Sequence, residues 1–176
     1  MRRFSVLVSV VIFVALVALG LVTTQSAAQE GTPAAAPAGA VGITFQARGS
    51  GTPDAAPDHQ LGLRRITFAP GATINNHHHP GALVLTVESG ALGYTVLEGE
   101  VTVVRAATNG TPGPSEPLMP GVEAIINPGD ALFEQSVVHS ARNASDGETI
   151  VWLASLIEAG QPFTVFHDDM AATPAA

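Results

Sequence analysis

The sequence contains no cysteine and no lysine, and these two absences narrow the range of functions. Without cysteine, the chain can form no disulfide, offer no thiolate to a metal or a substrate, and carry no lipid on a cysteine. Because there is no lysine, only seven arginines offset fifteen acidic residues, and the formal net charge is −8. Such a charge repels phosphate backbones and anionic lipids. We therefore expect no nucleic-acid partner and no peripheral membrane binding.

The first 28 residues have the order of a secretory signal. Arg2 and Arg3 precede an uncharged apolar stretch over residues 6–22, and small residues follow it. We predict that residues 1–28 are a signal peptide cleaved after Ala28, with a retained N-terminal membrane anchor as the alternative. Both interpretations make the protein secreted or extracytoplasmic. Removal of the leader would leave five arginines against fifteen acidic residues, a net charge of −10.

The rest of the chain lacks any capped segment with helical periodicity. Instead, short runs rich in Val, Ile, Thr and Leu alternate with turn sequences such as APGA, ESGA and NPGD, which indicates an antiparallel sandwich or barrel. We predict one all-β domain over residues 42–167. A flexible Pro/Ala linker over residues 29–41 would precede it, and a disordered tail over residues 168–176 would follow. The longest connection, residues 107–121, is expected to be a loop at the barrel rim.

Three of the six histidines are consecutive in the segment INNHHHPG, which is the main candidate for a functional site. In an extended strand, alternate side chains point to opposite faces, so His77 and His79 would share one face while His78 points away. Two imidazoles on one face can supply two of the nitrogen ligands of a first-row transition-metal site. The alternative is a solvated strand end with no ligand.

A third metal ligand would have to come from one of the remaining histidines. His139 lies in the extended segment VVHSARN, behind the NPGD turn, where a neighbouring strand could bring it to the same cavity. His59 is expected in a loop, and His167 at a solvated chain end. Arg142 could bind a carboxylate, although an outward salt bridge is the more common role for such a residue.

The spacing of these residues resembles the two motifs of the cupin superfamily, whose members are double-stranded β-helix (jelly-roll) barrels. The first cupin motif runs glycine, five residues, His-x-His, three or four residues, Glu, six residues and glycine. Its positions are held here by Gly71, His77, His79, Leu83 and Gly90. The end of the second motif is matched by His139 and Asn143. The resemblance covers roughly residues 62–157 and implies a single jelly-roll barrel.

One position departs from the cupin pattern, because Leu83 stands where the family usually has a glutamate ligand. The resemblance therefore implies a divalent transition-metal ion (Fe, Mn, Ni, Cu or Zn) bound by three histidines and completed by water. The implied ligands are His77, His79 and His139. Glu134 is a possible replacement for the missing carboxylate, whereas Glu88 has the wrong strand parity relative to His79.

The resemblance does not select one activity, because cupins include enzymes, sugar-binding regulators and storage proteins. One hypothesis is an exported protein that binds a metal and holds or converts a small molecule in the barrel, as a metal-dependent dioxygenase or another oxidoreductase would. The other is a binding or structural module without turnover, which could be free of metal. Four apolar residues could line a substrate pocket or simply pack the core: Leu83, Leu85, Phe133 and Trp152.

The strand ALVLTVE is apolar at consecutive positions, so both of its faces should be covered. The barrel interior covers one face. The N-terminal strands or a second subunit must cover the other, and we expect a homodimer.

Overall fold

A computed structural model describes residues 38–167 of the chain. Within this range the chain forms only strands and turns, and no helix there is long and apolar enough to span a membrane. The predicted signal peptide and tail, and most of the predicted linker, lie outside the described residues. The strands are β1 (Ala40–Gly51), β2 (His59–His78), β3 (Gly81–Ser89), β4 (Leu92–Glu98), β5 (Thr102–Val104), β6 (Ser115–Pro117), β7 (Ala124–Ile126), β8 (Ala131–Gln135), β9 (Val138–Asn143), β10 (Thr149–Glu158) and β11 (Val165–Phe166).

All the strands belong to one antiparallel sheet, in the order β6-β5-β8-β3-β10-β2-β9-β4-β7, with β1 and β11 also paired to β2. The sheet must curl, because strands at distant places in this order touch. The hydroxyl of Tyr94 on β4 donates a hydrogen bond to Glu134 on β8, although five strand spacings of about 4.8 Å would separate them in a flat sheet. The closed sheet confirms the predicted all-β jelly-roll barrel.

Strand β2 joins the two halves of the barrel. Its first half pairs with β10, up to Phe68 opposite Thr149, and its second half pairs with β9, from Thr73 opposite Arg142. Between the two halves, Gly71 adopts a φ of 73°, a conformation that glycine reaches without steric cost. The sequence APGA, predicted as a turn between two strands, is therefore a bend inside one long strand.

Two other sequence predictions about the connections are corrected. The segment 107–121 is not a loop throughout, because it contains β6, which pairs with β5. His59 is not a loop residue, since it begins β2 and lies opposite Glu158 on β10. Strand β1 begins at Ala40, two residues before the predicted start of the domain.

The side chains that face inward form one apolar core that includes residues of both halves of the sheet. Leu83 and Leu85 belong to it, with exposures of 2% and 4%. Phe133 does not, because it is 54% exposed on the outer face. Trp152 also points outward, and its indole N–H donates to Glu88. The prediction that Phe133 and Trp152 line the interior is wrong, because consecutive apolar residues in their strands obscure which face is which.

The outer face of β3 carries an apolar row that residues 38–167 leave partly exposed. Phe133, Val84, Ala154 and Leu63 are successive cross-strand neighbours on β8, β3, β10 and β2. Val84 is 49% exposed and Leu63 is 42% exposed. Strand β1 extends the sheet beyond β2 and does not lie over this row.

Candidate metal centre

The end of β2 and the start of β9 bring three histidines together inside the barrel. His77 is the register partner of His139, and His79 follows immediately after β2. All three are buried, and one ligand atom from each lies within 4.8 Å of the other two. His78 is only half-buried, on the opposite face. The alternation expected from an extended strand is therefore observed, and the three histidines named from the sequence are the ones that meet.

The protein holds two of these imidazoles by their Nδ1 atoms. Nδ1 of His77 lies 2.7 Å from the carbonyl oxygen of Asn75, and Nδ1 of His79 lies 2.6 Å from that of Phe163. A carbonyl oxygen can only accept, so both Nδ1 atoms are donors and both Nε2 atoms keep a free lone pair. Metal-binding histidines in proteins are usually oriented in this way by their second nitrogen.

His139 is held differently, beside the carboxylate of Glu134. Nδ1 of His139 lies 3.2 Å from Oε2 of Glu134, but their geometry is too poor for a hydrogen bond. Nδ1 of His139 is therefore a buried polar atom without a hydrogen-bond partner, and so, independently, is Oε1 of Glu134. Such atoms are uncommon in folded proteins and indicate an additional ligand, ion or water. The residues present fit a metal ion, because three buried imidazoles offer ligand atoms within 4.8 Å of one another, close to a carboxylate with an unpaired oxygen.

The position where the first cupin motif has its glutamate, Leu83 in this chain, lies next to another carboxylate, Glu134. Leu83 on β3 lies directly opposite Glu134 on β8, and the side chains of both are buried. The ring of Tyr94 stacks on that of His139, with 4.6 Å between centroids, while its hydroxyl donates to Oε2 of Glu134. Glu88 points outward, as its parity predicts.

Burial keeps the three imidazoles uncharged at neutral pH. It lowers the pKa of His77 to about 3, and repulsion from His139 adds to the effect. Burial likewise lowers the pKa of His79 to about 4, against the opposing charge of Glu134, and it lowers the pKa of His139 well below its usual value. Burial raises the pKa of the Glu134 carboxyl. Neutral imidazole is the form that binds metals, so protons compete little for these ligands near pH 7.

The three histidines open onto an interior cavity of about 40 Å³. Because one water molecule occupies about 30 Å³ in the liquid, the cavity has room for little more than an ion and one or two small ligands. Its remaining walls are mostly apolar and include Phe45, Ile66, Phe68, Ile74, Leu85, Leu92, Val151, Leu153 and Phe163. A large ligand does not fit this space.

A larger depression, of about 780 Å³, lies on the outer face of β2, β4 and β9 and contains none of the three buried histidines. Its charged groups, Arg142 and Glu123, hold each other through two hydrogen bonds of 2.7 and 2.6 Å. Arg142 therefore forms an outward salt bridge. The chemistry of the buried site, rather than cavity size, identifies the candidate centre.

His167, which the sequence placed at a solvated chain end, packs against the sheet, because its Nε2 lies 2.8 Å from Nδ1 of His78.

No protein-family model and no curated protein matches the chain. Solved structures with a similar arrangement of strands include a cupin-like protein from Thermotoga maritima, with 20% identity and a TM-score of 0.44 over 79% of this chain and 86% of that one. A cupin-2 domain from Rhodospirillum rubrum has 14% identity and a TM-score of 0.43, over 78% and 74%. A mutant oxalate decarboxylase from Bacillus subtilis has 18% identity and a TM-score of 0.45, over 77% and 29%.

The predicted jelly-roll barrel is confirmed by the strand pairing of the described residues. At these identities and TM-scores the comparisons supply no argument about activity. The chemistry of the centre rests on the geometry of the buried histidines and of Glu134.

Three residues at this centre were not predicted from the sequence. Phe163 lies after β10, far along the chain, yet its carbonyl holds His79 and its ring packs 4.6 Å from that imidazole. The guanidinium of Arg64 covers the same ring at 3.9 Å. Tyr94 is the only tyrosine in the sequence, which was the one available signal, because a lone tyrosine in an apolar strand requires a partner for its hydroxyl.

Proposed function

We propose that this protein binds one divalent transition-metal ion per chain through Nε2 of His77, His79 and His139. The observation that supports the proposal is the meeting of three buried, neutral imidazoles with ligand atoms within 4.8 Å of one another. Three nitrogen ligands suit Fe, Mn, Ni, Cu or Zn. Three protein ligands also leave coordination positions free for water or a small molecule.

The chain's own residues would have defined tasks around the ion. Asn75 and Phe163 orient two of the imidazoles through their carbonyl oxygens, and the apolar walls exclude bulk water. The ion, when bound, would act as a Lewis acid that polarises the oxygen atom of a ligand or lowers the pKa of a bound water. A small, uncharged oxygen-containing molecule is the ligand class that the cavity favours, given its volume of about 40 Å³.

A second candidate function is metal-dependent oxidoreductase or dioxygenase activity. It is favoured by a site with free coordination positions facing a small apolar cavity, since structural metal sites tend to be coordinatively closed. Against it stands the scarcity of acid–base groups, because Glu134 is the one carboxylate among the described residues that line the cavity. Oxygen consumption by the Fe(II), Mn(II), Ni(II) and Cu(II) forms, over a panel of alcohols, aldehydes and thiols of one to three carbons that suit the cavity volume, distinguishes turnover from binding alone.

Metal analysis of the chain purified without an affinity tag tests the proposed metal site. We expect up to one divalent ion per chain, and we expect its loss in His77→Ala, His79→Ala and His139→Ala. His78→Ala is the matched control, because it removes a neighbouring imidazole from the opposite face of the same strand. A wild-type chain that takes up no divalent ion at micromolar concentrations contradicts the proposal, as does an equal loss in His78→Ala.

Export remains a proposal, supported by the order of arginines, apolar residues and small residues in the first 28 positions. Sequencing of the N-terminus of the protein recovered from the culture medium and from the membrane fraction tests it. A mature chain that begins near Gln29 supports cleavage. A full-length product that requires detergent supports the membrane anchor instead.

We also propose that two copies of the chain associate through the outer face of β3. The row of Phe133, Val84, Ala154 and Leu63 is apolar and partly exposed, and it carries no charge. Because the chain as a whole has a charge of −8, two copies repel each other least where they meet through an uncharged face. Burial of apolar side chains would supply the attraction.

A further inference from the structure

Glu134 lies among the groups around the proposed metal site, and the function proposed above assigns it no task. It lines the same cavity as the three histidines, and its side chain is 2% exposed. One of its oxygens accepts from Tyr94, and the other has no hydrogen bond. A buried carboxylate with an unpaired oxygen lowers the stability of the fold, so its presence is better explained by a function than by packing.

The three histidines differ in one respect, which is the partner of Nδ1. His77 and His79 each have a carbonyl oxygen within 2.7 Å. Nδ1 of His139 makes no hydrogen bond of good geometry, although the backbone of Val137 lies close enough to the imidazole to act on its pKa, and Oε2 of Glu134 lies 3.2 Å from Nδ1. A small rotation of either side chain would convert that contact into a hydrogen bond from Nδ1 of His139 to Glu134.

We propose that Glu134 is a positioning residue for the metal site and acts through His139. When Nε2 of His139 binds the ion, its proton must reside on Nδ1, and the Glu134 carboxylate accepts a hydrogen bond from it. This arrangement orients the imidazole and makes it a stronger ligand. It also places a negative charge beside the ion, on the strand opposite Leu83, where the first motif has lost its carboxylate. The inference rests on the proposed metal site.

The test compares Glu134→Gln with a matched control, Glu88→Gln. Both substitutions replace one carboxylate by an amide of the same shape. Glu88, however, lies on the outer face, where it accepts a hydrogen bond from Trp152. Co(II) affinity is measured by calorimetry at neutral pH, and the visible absorption of the Co(II) form reports its coordination number. The thermal midpoint of the metal-free chain is measured in parallel, because it reveals whether the substitution damages the fold.

We expect Glu134→Gln to weaken Co(II) binding about 10- to 100-fold, with an unchanged coordination number. The thermal midpoint of its metal-free form should be equal to the wild type or higher, because a buried charge has been removed. Glu88→Gln should leave the affinity unchanged. A merely structural role is indicated if affinity and metal-free stability fall together, and this overturns the inference.

Two other results also overturn the inference. An unchanged affinity in Glu134→Gln means that the carboxylate does not act on the metal, while the three-histidine site stands. A changed coordination number means that Glu134 is itself a ligand and does not act through His139. If the wild-type chain binds no Co(II) at all, the proposed function fails first, which separates that failure from the failure of the inference.

Discussion

Acid should destabilise the metal-free protein well above the pH at which surface carboxylates titrate. In the unfolded chain a histidine binds a proton below about pH 6.5. In the folded chain burial keeps His77 and His79 neutral down to about pH 3 and about pH 4, and the pKa of His139 is also lowered. Between pH 6.5 and pH 4 the unfolded state therefore holds more protons than the folded state, so stability falls as the pH falls.

The size of this effect follows from the number of buried groups. Each pH unit in the window costs about 1.4 kcal/mol per histidine that must stay neutral. From pH 6.5 to pH 5 this amounts to about 2 kcal/mol for each histidine and about 6 kcal/mol for three. Glu134 acts in the opposite direction, because burial raises the pKa of its carboxyl and the folded state then holds a proton that the unfolded state releases. It offsets at most one histidine, so we expect a net loss of about 4 kcal/mol.

Urea unfolding of the chain at pH 7 and pH 5, with a chelator present, measures this loss. The variant His77→Gln should reduce the net loss by about half, since it removes about 2 of the roughly 4 kcal/mol. His78→Gln should leave most of it in place, because that imidazole is only half-buried, on the opposite face of the strand. An unfolding free energy that is equal at the two pH values, or larger at pH 5, would refute the buried neutral state of the three histidines.

Four further substitutions have defined consequences. Asn143→Ala should cost about 2–4 kcal/mol in urea unfolding, because its buried amide bonds backbone carbonyls of two separate segments. Leu83→Glu should lower the thermal midpoint of the metal-free chain, since it places a second buried carboxylate opposite Glu134; an unchanged midpoint contradicts this. Phe163→Ala should weaken Co(II) binding and cost about 1–3 kcal/mol in unfolding, because the half-buried ring packs against the imidazole that its own carbonyl holds; intact affinity would mean that the ring is not needed. Phe133→Lys should give a monomer by light scattering where the wild type gives a dimer, and a wild-type monomer at micromolar concentration rejects the proposed association.

The sequence was most informative where strand periodicity and chemistry coincide. His77 and His79 could be assigned to one face because side chains alternate along a strand, and the second motif pointed to His139 as the third member. The same alternation gave no guidance for Phe133 and Trp152. Their strands are apolar on both faces, so a pattern of apolar and polar residues does not mark the inside. The bend at Gly71 was misread for a related reason, since Pro-Gly sequences mark turns and bends within strands alike.

The part of the site that could not be predicted depends on pairing between distant strands. Leu83 and Glu134 are adjacent only because β3 pairs with β8 in one register, and a shift of one residue would turn Glu134 to the outside. That register is determined by the packing of the whole barrel, which no local spacing encodes. The sequence therefore contained the loss of a carboxylate at position 83 and a candidate at 134, but only the fold relates the two. The contact between Tyr94 and Glu134 has the same origin, because it arises from closure of the sheet. Glu134 and Tyr94 both lie against His139, so the features that distinguish this centre from a plain three-histidine site are those that depend on long-range pairing.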